Sequence, residues 1–254
     1  MLRHLVGVVN IPKYPQIPPI FGRPGDGKSY QTKVVLKSAG CVPVITSASV
    51  LQGAYEGDAV AAFDKLYARA YEIRNTGRGA AIVIEDFDTS IASTRESTSY
   101  GVNSQLLVSH LMNLSEDVGQ ASGRYRAPIF LTGNDFSGVY APLLRPGRMS
   151  FIRWSPTSDE LKRMIENILS KYGVSNATLA GKLVSELDGL SIATVEAAVQ
   201  ESLADALLDA LDDHRSIGIN ASRAVVETDI SRITMAISQH YNTYLQVISD
   251  TDWS

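Results

Sequence analysis

Gly22-Arg23-Pro24-Gly25-Asp26-Gly27-Lys28-Ser29 is the stretch of the sequence richest in chemistry, because it satisfies the GxxxxGK[ST] pattern of a phosphate-binding loop. Gly22, Gly25 and Gly27 let the backbone curl until its N–H groups converge on one anion, and a helix starting there adds positive partial charge. Lys28 is suited to neutralise β- and γ-phosphate oxygens, and Ser29 to ligate Mg²⁺. Pro24, Asp26 and Tyr30 complete the segment expected to surround a nucleotide. A plain glycine-rich turn would also use these residue types. It would not require the apolar run before them or the helix-compatible SYQTKVVLKSA after them.

A second cluster closes the apolar run Ile82 to Ile84 with the acids of IVIEDFD. Hydrolysis of a phosphoanhydride needs one carboxylate at the metal and another to orient or deprotonate water. Glu85 is expected at the metal and Asp86 at the water; the competing reading is a solvated acidic strand end. In LTGND, the polar Asn134 follows another apolar run, where it can position water near a γ-phosphate or simply form a turn. Arg145 and Arg148 flank Pro146-Gly147, a turn pair expected to project both guanidinium groups from the rim. An arginine so placed can stabilise charge on a neighbouring subunit's phosphate, which makes activity depend on assembly. Otherwise the two are an ordinary surface pair.

Such residues need strand ends to carry them. Short apolar runs at 17–21 (IPPIF), 42–46 (VPVIT), 80–85 (AAIVIE), 128–132 (PIFLT) and 151–154 (FIRW) alternate with helical patterns, the signature of an α/β layered fold with a parallel sheet. Because proline cannot donate to a sheet ladder, Pro18-Pro19 implies that the first strand starts late. Val60, Phe63, Leu66, Ala70 and Ile73 recur at helical spacing, as do Leu106, Leu107, His110, Leu111 and Leu114. After Trp154 the strand signals stop. Thr157 and Glu160 read as a capping box, opening a helix with Leu161, Met164, Ile165, Ile168 and Leu169 on one face. Further helices fit 178–187, 191–211 and 228–247. The expected domains are an α/β nucleotide-binding part, 1–155, and an all-helical part, 156–254.

Composition sets the outer bounds. The 254 residues are 44% hydrophobic, enough to fill a core, and the net charge of −4 gives no general attraction to nucleic acid. Cys41 is the sole cysteine, so no internal disulfide can form, and the four histidines lie too far apart for a local metal pattern. With no signal-like or membrane-length apolar run, a cytoplasmic setting is expected.

In order and approximate spacing, GRPGDGKSYQ, VIEDFD, YGVNSQLLVSHLMNLSED, PIFLTGNDF and YAPLLRPGRM resemble the AAA+ ATPase motor domain, and in wording the rubisco activase family. The likeness runs from about His4 to Pro156 and continues more weakly into LDGLSIATVEAAV, which looks like the family's lid helix. It implies a five-stranded P-loop parallel sheet flanked by helices and followed by a small helical lid subdomain. It also implies ATP and Mg²⁺ as cofactors, with Gly22 to Ser29 as the Walker A loop, Glu85 and Asp86 as the Walker B pair, and Asn134 as the sensor. Glutamate stands before aspartate here, the reverse of the usual order. Arg145 and Arg148 fall in the arginine-finger segment, and Tyr55 falls in the loop that lines the pore. The resemblance further implies a homo-oligomeric ring, hexameric in kind, acting on a protein client such as rubisco. The sequence is expected to lack the additional N-terminal domain of rubisco activases and any module resembling the rubisco small subunit. Two other classes compete: a nucleic-acid-handling P-loop ATPase, which would want a basic groove, and a nucleotide-dependent scaffold that hydrolyses little.

Overall fold

The computed structural model describes residues 15–51, 55–91, 102–115, 127–171, 180–181, 183–184, 191–197, 199–201 and 204. They belong to two compact units, one of Met1–Arg23 with Gly27–Trp154, the other of Pro24–Asp26 with Ser155–Ser254.

In the first unit the chain runs β1 (Pro19–Phe21), α1 (Lys28–Ser38), β2 (Cys41–Ser47), α2 (Asp58–Asn75), β3 (Gly79–Glu85), α3 (Phe87–Ile91), α4 (Val102–Ser115), β4 (Ile129–Gly133) and β5 (Ile152–Arg153). All five strands pair in parallel, in the order β2-β3-β4-β1-β5. Every residue of β4 is buried, as are Ala80 to Ile84 of β3, as parallel strands covered on both faces require. Alternation decides which side each residue serves. Ile82 and Ile84 join Phe63, Leu107 and Leu111 in one apolar cluster, whereas Ala81 and Val83 join Leu36, Phe130 and Cys41 in another. Helices α2 and α4 therefore cover one face and α1 the other. The expected stripes match, with Phe63 and Ala70 buried on α2 and Leu107 and Leu111 on α4.

The first strand does start late, at Pro19. Pro18 still takes part through its oxygen, which accepts from Leu131 N at 3.3 Å. The strand order has a chemical consequence. β4 lies between β1 and β3, with Phe21 level with Gly133 and Ile84 level with Leu131, so the segments that follow all three strands emerge together at the carboxyl edge.

In the second unit, α5 (Ser158–Lys171) opens as the capping box specified. Glu160 Oε2 accepts from Thr157 N at 2.8 Å, and Thr157 Oγ1 accepts from Glu160 N at 3.3 Å. The bond from the Thr157 backbone, and after it the one that the Thr157 hydroxyl donates to Oε2 at 3.0 Å, hold the Glu160 carboxyl below its usual range. Ile165, Ile168 and Leu169 are buried along one face, with Leu161 and Met164 partly so. Within the same unit Ala193 N donates to Gly25 O at 3.0 Å, and a Cβ on Gly25 would lie 2.5 Å from Ser191 Oγ. Of the later helices, residues 180–181, 183–184, 192–197, 199–201 and 204 are helical, with Val195 and Val199 buried one turn apart. Leu203, Leu207, Leu211 and the helix expected at 228–247 lie outside the described residues.

Candidate functional site

The loop between β1 and α1 turns on Gly27, which caps the helix at φ 78° and ψ 21°. Its left-handed conformation suits glycine, and it puts Lys28 and Ser29 in the first turn of an eleven-residue helix. No side chain caps that helix, and no acid sits in its first turn. The positive end of its dipole is therefore offset neither by a side-chain cap nor by an acid in the first turn, the arrangement that favours a phosphate.

Gly22 has a different reason to be glycine. β5 runs beside β1, and Trp154 N donates to Phe21 O at 2.7 Å. A Cβ on Gly22 would fall inside contact distance of the Trp154 carbonyl oxygen. Close strand packing forbids a side chain there before any phosphate is considered.

Lys28 is buried, at 8% exposure, and its ammonium is held at three points. Nζ donates to Gly22 O at 3.0 Å, to Arg23 O at 2.6 Å and to Asn134 Oδ1 at 2.8 Å. The last bond joins residues 106 apart in sequence and ties the loop after β1 to the tip of β4. Ser29 makes a parallel tie, its hydroxyl 2.9 Å from Thr132 Oγ1 on β4. The cation and hydroxyl that phosphate and metal chemistry would use are both preorganised by β4.

The acids lie at the end of β3 and just beyond it. Glu85 Oε1 lies 3.0 Å from Lys33 Nζ on α1, yet outside hydrogen-bonding geometry, so the contact is an ion pair without an aligned bond. Asp86 is exposed and takes φ 53°, the left-handed region that only a few residue types tolerate. Backbone strain of this kind collects at functional positions. The carbonyl of Asp86 accepts from Thr89 Oγ1 at 2.9 Å, which starts α3. Asp88, two residues on, is buried and accepts from the backbone N–H groups of Asn134 at 2.7 Å and Asp135 at 3.1 Å.

Of the remaining sequence-derived residues, Pro24, Gly25 and Tyr30 are exposed and Asp26 is buried. Tyr55 is 77% exposed, and its backbone is held by Asp58, whose Oδ2 accepts from Tyr55 N at 2.8 Å. The two arginines behave differently. Arg148 N donates to Arg145 O at 3.1 Å across the Pro146-Gly147 turn, with Gly147 at φ 95°. Arg145 is exposed, whereas Arg148 is partly buried and donates through its guanidinium to Pro142 O.

Sequence reasoning passed over Thr132, Lys33 and Asp88. Thr132 had a usable signal: it stands two residues before Asn134, at strand period. Lys33 and Asp88 had only their charge. Among the described residues no group of three or more His, Cys, Asp and Glu side chains is gathered for a metal, and no helix is long and apolar enough to cross a membrane.

Residues 19–157 match the sequence model of the ATPase family associated with various cellular activities (AAA). Over 188 residues, 71% of this chain, the sequence is 35% identical to the chloroplastic ribulose bisphosphate carboxylase/oxygenase activase of Vigna radiata var. radiata, covering 43% of that protein. It is 34% identical over the same share to the chloroplastic activase of Oryza sativa subsp. japonica, covering 40%, and 33% identical to that of Zea mays, covering 43%. The chain thus spans less than half the length of these relatives.

Proposed function

The chain belongs to the AAA family of ATPases, and on that premise we propose that it is an ATP-hydrolysing motor that remodels a protein client. One observation carries the reading: Lys28 Nζ, at the start of an uncapped helix, sits 2.8 Å from Asn134 Oδ1. The contact supports assigning Lys28 to phosphate binding and Asn134 to sensing in one site.

The residues fit ATP with Mg²⁺. The N–H groups that open α1 and the Lys28 ammonium suit the phosphates, while Ser29 and Glu85 are the oxygen donors that would hold the metal. Bound Mg²⁺ would supply charge neutralisation at the β- and γ-phosphate oxygens. In this reading the chain's own residues do the rest. Asp86, exposed at the strand tip, takes the proton of the attacking water, and Asn134 fixes that water's position. Lys28 leaves the carbonyls of Gly22 and Arg23 to face phosphate oxygens. The Lys33–Glu85 ion pair loosens so that the carboxylate can turn towards the metal.

Arg145 and Arg148 complete the site from a neighbouring subunit in a homo-oligomeric ring, which we take to be hexameric. Their different exposure supports a division of labour: Arg145 reaches the neighbour's phosphate, and Arg148 braces the turn that presents it. The client is gripped by Tyr55 and, by likeness to the relatives, is rubisco, from which inhibitory sugar phosphates are released. We assign the protein to the cytoplasm.

Mg²⁺-dependent ATP turnover measured against protein concentration tests the proposal. Specific activity should rise with assembly, and Arg145→Ala should abolish the rise while nucleotide still binds. Flat specific activity, unaffected by Arg145→Ala, would contradict completion in trans. Release of inhibited rubisco by wild type but not by Tyr55→Ala would support the client; turnover without release would exclude it.

A further inference from the structure

Asp88 is an acid buried at 8% exposure, and a buried carboxylate is costly unless hydrogen bonds compensate it. Its compensation is specific. Oδ2 takes both the Asn134 and Asp135 N–H groups, 46 and 47 residues away, which are the first two amides after β4. Oδ1 is buried with no hydrogen-bond partner and lies against Gly133, where an added Cβ would come within 2.7 Å of it. The carboxylate is wedged against the end of β4 and bonded to the turn beyond it.

That turn carries Asn134, whose Oδ1 meets Lys28 Nζ at 2.8 Å. A continuous path therefore runs from Asp88 Oδ2 through the Asn134 backbone and side chain to the Lys28 ammonium. We infer that Asp88 is a positioning residue that sets Asn134 Oδ1 against Lys28 Nζ and thereby sets the geometry of hydrolysis, an inference that rests on the ATPase reading above. Asp88 does not itself touch the reacting groups. Its Oδ2 is a forked acceptor that fixes two consecutive amides at once, and with them the direction in which the Asn134 side chain leaves the backbone. The ring of Phe87 stacks on that of Phe136, centroids 6.2 Å apart, and pins the same two segments by apolar contact. Loss of the carboxylate should accordingly loosen the turn without detaching it.

Three variants separate positioning from simple structural support. Asp88→Ala removes the forked acceptor. Asp88→Asn keeps an oxygen that can accept from both amides. Gly133→Ala leaves Asp88 in place and drives its carboxylate away with a methyl group. ATP turnover, thermal unfolding and the backbone amide proton shifts of Asn134 and Asp135 are measured for each. A misplacement of about 1 Å costs on the order of 10²-fold in rate, so Asp88→Ala should lose about that in kcat with KM for ATP little changed. Asp88→Asn should recover most of the loss, and Gly133→Ala should resemble Asp88→Ala. The two amide protons should move upfield in Asp88→Ala and Gly133→Ala but not in Asp88→Asn. Wild-type kcat in Asp88→Ala, equal damage in the alanine and asparagine variants, or unmoved amide shifts would overturn the inference. A wild type that turns over no ATP yet shows the expected amide shifts would sink the ATPase reading and leave the clamp standing.

Discussion

Replacing Gly22 by alanine asks which of two causes fixes that glycine, phosphate approach or strand packing. The new methyl would meet the Trp154 carbonyl oxygen inside contact distance and the Trp154 carbonyl carbon at 3.3 Å, both parts of backbone that cannot swing aside as a side chain could. Relief requires β1 and β5 to separate by roughly 1 Å, which stretches the 2.7 Å Trp154 N–H···O Phe21 bond past hydrogen-bonding range. Overpacking of this kind costs about 1–3 kcal/mol, and the lost bond adds about 1 kcal/mol. A total of about 2–4 kcal/mol converts to a melting-temperature drop of roughly 5–15 °C for a unit of this size. Gly27→Ala is the control, since nothing lies within 4 Å of its Cβ and its cost is the left-handed backbone alone, about 1–2 kcal/mol. Thermal unfolding followed by circular dichroism, without nucleotide, should therefore rank Gly22→Ala below Gly27→Ala and both below wild type. A Gly22→Ala protein that melts with wild type would refute the packing argument and leave the phosphate as the reason.

Asp86→Asn should fold normally, because asparagine also tolerates the left-handed region, while ATP turnover falls by about 10²–10⁴-fold if, as proposed, Asp86 is the general base. Unchanged turnover would move the base to Glu85. Burial pushes the Cys41 thiol up from 9.0 to about 11, so at pH 8 its thiolate is about 100-fold scarcer folded than unfolded, and iodoacetamide should label native protein correspondingly slowly. Since the folded value is the higher one, the thiol's contribution to stability is complete below pH 9 and disappears as pH rises through 11; a denaturation midpoint that rose over that interval would contradict it.

Where the sequence was legible, the reason was local. Short apolar runs alternating with helical patterns named the five strands, helical spacing named the buried faces of α2 and α4, and Thr157 with Glu160 marked the start of α5 to the residue. The turn from β1 into α1 was legible because its glycines, lysine and serine lie within a short stretch of chain. What stayed hidden lies across the sheet. That Gly22 is forced by Trp154, that Glu85 meets Lys33, and that Asp88 turns inward to the Asn134 amides all depend on strand order, and no spacing along the chain encodes these partners. The three acids at the end of β3 and just beyond it look equivalent in sequence. Burial separates them, leaving Asp86 exposed, Glu85 half-buried beside a lysine and Asp88 inside.

The central claim is that Lys28 and the strand tips beside it form a site that hydrolyses ATP. Its most direct test is phosphate release from Mg·ATP by purified wild type and Lys28→Ala at equal concentration, with circular dichroism confirming equal folding. The account predicts turnover in wild type and a loss of at least about 10²-fold in Lys28→Ala, because the buried cation at the phosphate site is gone. Equal turnover in the two proteins would contradict it.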